Sequence, residues 1–310
     1  MAKINRFVCA TEFANTGIGD CPIVPKHIVG AFIVPKDFEI TAADAVTLKT
    51  FLEDKAAATL QKERILPLHN FVGVEDGSED LVETTLGYGG ISVTREGNYN
   101  FTYQIGQGGL CLQKALRKFN NRPVRVLLYD ASGMLFGMKS ENVVKGIPVE
   151  LFYAMPMKLS DGSAETAFHV RLVIKPAYLN ESLSYIATAP DGFMLQEIEG
   201  LMDVQLEVAS RTASAIQVKG FAGCGTINVL KDYATEFNEG VTPEARWALL
   251  DPVSGASITP TSISVNTEGV ATITLASDVD VIINLAGSAV LATDGIIGFE
   301  GKPVLSLKTI

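Results

Sequence analysis

The chain has 310 residues, 47% of them hydrophobic and 19% charged, with a formal net charge of −10. That length suggests two domains, and that composition supplies packed cores rather than a disordered chain. The acidic balance argues against a surface that grips nucleic acid, since gripping needs Lys and Arg on phosphates. The opening MAKINRFVCATEF lacks the apolar stretch of a secretory leader, and no run approaches the ~18 apolar residues of a membrane-spanning helix. Cys9, Cys21, Cys111 and Cys224 are scattered with no C-x-x-C pair. They are expected as reduced thiols of a chain made and assembled in a cytoplasm.

In chain order, residues 1–37 are expected to be irregular and extended, an arm or an edge strand, because Pro22, Pro25 and Pro35 interrupt short apolar runs. Thr41 to Glu63 is predicted as a helix. Thr41 and Asp44 form a cap-like pair, and Ala45, Leu48, Leu52, Ala56 and Leu60 recur at helical spacing. FVGVEDGSEDLVETT follows as an acidic loop. ISVTR and NYNFTYQI alternate apolar and polar around Glu96-Gly97-Asn98 and read as a hairpin. A second helix is expected over Leu110 to Phe119, with Leu112, Ala115, Leu116 and Phe119 inward and Gln113, Lys114, Arg117 and Lys118 outward.

VRVLLYD, ASG and MLFGM make another hairpin. PVELFYAMPMKL and AFHVRLVIKP are expected to pair across Ser160-Asp161-Gly162-Ser163 as strands of roughly ten residues, some 30 Å long. From about residue 203 the texture changes to short strands: DVQLEV, SAIQVKGF, INVL, ARWALLD, SISVN, GVATITLA, DVDVIINLA and PVLSLKTI. This is the pattern of an immunoglobulin-like sandwich with Trp247 as its core anchor. The expected class is mainly β, an α+β core of antiparallel sandwich over residues 1–202 with one or two flanking helices, plus the Ig-like sandwich over 203–310.

Little here reads as chemistry. IGQGGL puts Cys111 where a dinucleotide fingerprint needs its third glycine, and no Gly-Lys-Ser/Thr follows for a P-loop. The segment is better read as a strand-to-helix connector that uses the backbone freedom of glycine. His27, His69 and His169 stand apart from one another and from any cysteine, so neither a metal site nor a catalytic constellation is expected, and no cofactor. Glu75, Asp76, Glu79, Asp80 and Glu83 form an acidic run that is either a solvated loop or a wall repelling polyanions. Lys114, Arg117 and Lys118 are either the wet side of a helix or a contact with acidic residues of a neighbouring subunit. His169 and Arg171 alternate on a strand and face solvent or such a neighbour.

Long antiparallel hairpins, an amphipathic helix, an irregular N-terminal arm and an appended Ig-like domain together resemble the major tail tube proteins of tailed bacteriophages. The stretch YGGISVTREGNYNFTYQIGQGGLCLQKALRKFNNRPVRVLLYDASGMLFGM is also similar in texture to phage virion proteins. The resemblance is architectural, because the family has no diagnostic short motif, and it transfers no functional residue. It implies a non-enzymatic subunit, assembled in the host cytoplasm and resident in the virion tail. Such subunits form hexameric rings that stack through N-terminal arms and long loops and contact other tail proteins. Inner strands join into a barrel whose electronegative lumen, with Glu75, Asp76, Glu79, Asp80 and Glu83 as candidate lining, lets DNA pass without specific binding. Lys114, Arg117, Lys118, His169 and Arg171 become candidate subunit contacts. The same features also suit another structural virion part, such as a capsid decoration, head–tail completion or baseplate protein, with the Ig-like domain as a surface or glycan-binding module.

Overall fold

A computed structural model describes residues 4–6, 26–106, 108–160, 166–180, 182–187, 192–239 and 243–309. The protein is mainly β, built from antiparallel sheets with few helices. It divides into two compact units, Met1–Ala56 with Leu60–Glu199, and Ala57–Thr59 with Gly200–Ile310.

The first unit begins with β1 (Ile4–Arg6), β2 (Ile28–Val34), β3 (Glu39–Ile40), α1 (Leu48–Ala56) and β4 (Leu66–Leu68). Next come β5 (Phe71–Asp76), β6 (Val82–Thr85), β7 (Ile91–Arg95), β8 (Tyr99–Ile105) and α2 (Gly109–Leu116). It ends with β9 (Val124–Asp130), β10 (Met134–Ser140), β11 (Val143–Lys145), β12 (Ile147–Val149), β13 (Leu151–Ala154), β14 (Phe168–Ile174), α3 (Pro176–Asn180) and β15 (Leu183–Ala187). One sheet runs β1-β15-β10-β9-β2-β4 with β11, β12 and β3 appended, and a second runs β13-β14-β8-β5.

The larger sheet is covered on both faces, and its strands show why. Ala31, Ile33, Val126, Leu128 and Phe136 pack toward the four-stranded sheet. Their sequence neighbours Phe32, Val34, Leu127, Tyr129 and Leu135 pack under α1 with Phe193, Leu195 and Ile198. A strand buried on both sides reads as a continuous apolar run. The run IVGAFIV is therefore a central strand between β9 and β4, which corrects the expectation of an arm for this part of residues 1–37. Residues 1–3 and 7–25 of that arm, with Cys9 and Cys21, lie outside the described residues, as do residues 161–165 of the predicted Ser160–Ser163 turn.

Gly30 sits opposite Tyr129, and a Cβ there would lie 2.1 Å from the phenol oxygen. The space lets the Tyr129 hydroxyl come within 2.5 Å of Nδ1 of His69, whose Nε2 lies 2.7 Å from the carbonyl of Ile198. The carbonyl only accepts, so Nε2 carries the proton and Nδ1 accepts from Tyr129. Burial pushes the His69 pKa below its ordinary value, the Ile198 carbonyl and Glu199 opposing, and pushes that of Tyr129 up. Both directions keep this clasp neutral.

Several predicted elements change shape. Thr41 and Asp44 do form a reciprocal cap, with Thr41 N donating to Asp44 Oδ2 at 2.8 Å and Asp44 N to Thr41 Oγ1 at 3.3 Å. The helix stops at Ala56 rather than Glu63, because the chain doubles back to bury Ile65, whose amide bonds to the carbonyl of Lys55 at 3.1 Å. Leu60 is exposed in consequence. On α2 the inward set is Leu112, Gln113 and Leu116, not Ala115, and buried Gln113 donates to the Met155 carbonyl at 2.6 Å. β13 and β14 pair as expected, Leu151 opposite Val173, but span 4 and 7 residues rather than ten. Cys111 and Cys224 each take part in a disulfide, which corrects the expectation of reduced thiols for these two.

The second unit holds β16 (Met202–Arg211), β17 (Ala215–Ala222), β18 (Ile227–Asn228), α4 (Val229–Asp232), α5 (Ala234–Asn238) and β19 (Trp247–Leu250). β20 (Ser262–Val265), β21 (Val270–Thr274), β22 (Val281–Leu285), α6 (Ser288–Thr293), β23 (Phe299–Lys302) and β24 (Val304–Ser306) complete it. One sheet runs β20-β21-β17-β16-β23 and the other β19-β22-β24. Lettering β16, β17, β19, β20, β21, β22 and β23–β24 as A to G gives the D-E-B-A and C-F-G sheets of an Ig-like sandwich. The last strand changes sheet at Pro303, pairing parallel to β16 before it and antiparallel to β22 after it. Trp247 opens the C strand, buried, with its ring 5.8 Å from that of Phe237.

Candidate functional site

The four-stranded sheet turns Phe152, Ala154, Val170, Leu172, Ile174, Tyr103 and Ile105 into the core. Strand alternation then sets the opposite face. The register places His169 beside Gln104, Arg171 beside Thr102 and Tyr153, and Glu75 beside Thr102. These side chains are half-buried or exposed, and the face is polar apart from Leu151 beside Val173. Among the described residues the end strand β5 pairs on one side only, whereas the outer edge of β13 is capped by its own chain, Phe152 O accepting from Asn121 N at 3.2 Å and Ala154 N donating to Asn120 Oδ1 at 2.7 Å.

The candidate contacts on this face differ in how far their own subunit engages them. Arg171 Nε donates to Asn100 Oδ1 at 2.7 Å. His169 is half-buried, and its Nδ1 has no protein partner. Burial and then Lys158 push its pKa down, while Glu75 opposes them.

The acidic run is only partly a loop: Glu75 and Asp76 end β5, Glu83 lies in β6, and Glu79 and Asp80 fall in the stretch between them. β5 and β8 continue past the sheet as a two-stranded ladder, with Gly77 N donating to Asn100 O at 2.9 Å and Glu79 N to Asn98 O at 3.0 Å. β6 then pairs with β7, Val82 opposite Arg95 and Thr85 opposite Ile91. The expected hairpin of ISVTR with NYNFTYQI is therefore corrected. Those two strands follow one another along one side of the ladder, and the turn lies at Leu86–Gly90, where Leu86 N donates to Gly90 O at 2.7 Å. Gly97 is a point of close approach instead of a turn, since a Cβ there would sit 1.9 Å from the Glu79 carbonyl oxygen.

The five acids are thereby distributed along the ladder. Glu75 belongs to the polar sheet face. Asp76 accepts from Ser78 Oγ at 2.5 Å and Ser78 N at 2.9 Å, bonds that hold its carboxyl below the usual range. Glu79 pairs with Arg95 at 3.2 Å. Asp80 and Glu83 are exposed and have no cation beside them among the described residues.

Every residue of β6 and β7 is exposed. Tyr88 near the tip is 84% exposed, Ile91 68% and Val93 50%. A lone two-stranded ribbon is marginal in water, and clustered apolar exposure marks an interaction surface. Sequence reasoning missed this feature. The signal was present in the DGSED and TLGYGG segments, which bracket a short strand on both sides.

At the other end of β8, Gly108 (φ 86°) and Gly109 (φ 50°) turn the chain into α2, so IGQGGL is a connector. Lys114, Arg117 and Lys118 are exposed on the outward side of the helical segment 109–119. Leu110, Gln113, Lys114 and Arg117 line an open concavity of about 480 Å³. Among the described residues, no helix is long and apolar enough to cross a membrane, and no three His, Cys, Asp or Glu side chains gather as a metal site. Compared with known protein families and with curated proteins, the chain gives no match.

Proposed function

We propose that this chain is a structural virion subunit, a tail tube protein of a tailed bacteriophage, that assembles with itself into stacked rings around an electronegative channel for DNA. The observation that carries the reading is the four-stranded sheet. Its outer face is largely polar, and its end strand β5 pairs on one side only. Open edges are an aggregation liability unless something pairs with them. Pairing the open edge of β5 with a neighbouring subunit turns that liability into part of a shared barrel, with the polar face inward.

A net charge of −10 and Glu75 on that face suit a lumen past which DNA slides. Lys and Arg contacts would add salt-dependent retention. The free ribbon of β6 and β7 supplies an element that reaches beyond the ring. Negative-stain microscopy of the purified full chain tests the reading. Rings or tubes with a central channel are expected, and dispersed single subunits at every concentration would overturn it.

A further inference from the structure

Two uncovered surfaces of the first unit match one another in charge, and each carries exposed apolar side chains. On the ribbon, Ile91 and Val93 project from one face of β7, and Glu83 stands opposite Val93 on that face. Asp80 lies just before β6. On α2, exposed Leu110 lines an open concavity with Lys114 and Arg117. No anion pairs with Lys114, Arg117 or Lys118 among the described residues. One surface is thus a projecting apolar ridge with acids beside it, and the other an open, shallow concavity where exposed Leu110 lies beside cations.

The two lie at opposite ends of β8. The ribbon leaves β8 at Tyr99 and α2 follows Ile105. Seven residues of strand separate them, roughly 20 Å at 3.3 Å per residue, and the ribbon runs on away from α2. A contact between them joins one end of a subunit to the far end of another. Such a contact is heterologous and propagates through a series of copies.

We propose that the β6–β7 ribbon of one copy docks on the outward face of α2 of a second copy. Ile91 and Val93 sit over Leu110, and Asp80 and Glu83 meet Lys114 and Arg117. This rests on the tube reading and adds the identity of the two faces that join successive subunits.

Charge reversal of the full chain tests it. The variants are D80K/E83K on the ribbon, K114E/R117E on the helix, and the two combined. All four positions are exposed, and circular dichroism checks the fold. Sedimentation velocity and negative stain measure assembly at low salt. Each double reversal alone is expected to raise the concentration needed for assembly at least tenfold. The combined variant is expected to recover it, and so is an equimolar mixture of the two double reversals, because each then offers the charge the other lacks.

Assembly of either double reversal at the unaltered chain's concentration would overturn the docking and leave the tube reading standing. Loss without recovery in the combined variant and the mixture would overturn it as well, and would assign the faces to a different partner. An unaltered chain that never assembles would overturn the tube reading itself.

Discussion

The strand β2 and the ribbon β6–β7 are both rich in β-branched residues, yet they have opposite fates. In β2, Ala31 to Val34 are all buried, alternate side chains entering two different cores. In β6 and β7 no residue is buried. The difference lies in what the rest of the chain lays over each, rather than in strand propensity, which depends strongly on context. A strand with two covers carries stability. A ribbon with none contributes little to its own subunit and is free to serve as a contact.

Substitutions can break or sharpen that contrast. Phe32→Ala is expected to have the largest effect, about 3–5 kcal/mol lost in urea unfolding, because the ring is fully buried under α1. Gly30→Ala comes next, at about 1–3 kcal/mol, since the new methyl overlaps the Tyr129 hydroxyl and breaks the clasp to His69.

Acidification should act on the same clasp. The folded His69 pKa is depressed, so below the ordinary histidine value of about 6.5 the unfolded chain binds more protons than the folded one. Stability is then fully present above that value and is lost as pH falls toward the folded pKa. His169 adds in the same direction. Unfolding midpoints across this range should fall with pH, and His69→Asn should flatten the slope. An unchanged slope would remove His69 from the account. Ile91→Ser and Val93→Ser should have the smallest effect, within about 0.5 kcal/mol of the unaltered chain. A loss as large as that of Phe32→Ala would mean that the ribbon supports its own subunit.

The same contrast explains what was legible in the sequence. Periodicity located β9, β10, β14 and the A, B, D, E and F strands of the second unit, whose alternation or apolar runs match their covers. It misread HIVGAFIVP as an arm, because the prolines around it suggested irregularity and periodicity alone does not reveal a second covering layer. INVL was expected as a strand, but after Asn228 it turns into α4, where the Asn228 side chain accepts from Lys231 N at 3.1 Å. The helix-capping signal of Asn228 was available and was outweighed by the apolar run. β23 went unread because Gly301 interrupts it, and a Cβ there would lie 2.4 Å from Asn284 Oδ1, a close approach invisible without the neighbouring strand. The acids of the candidate site were identified by type, but their spread along a ladder depends on the β5–β8 pairing.

Hydrogen exchange on the full chain, below and above the concentration at which it assembles, tests the central claim most directly. Amides of β6 and β7, with the free edge of β5, should exchange fast in the isolated subunit and slow sharply on assembly. Amides of β2 and β9, already inside a sheet with two covers, should not change. Ribbon and edge amides that exchange equally fast in both states would contradict the account.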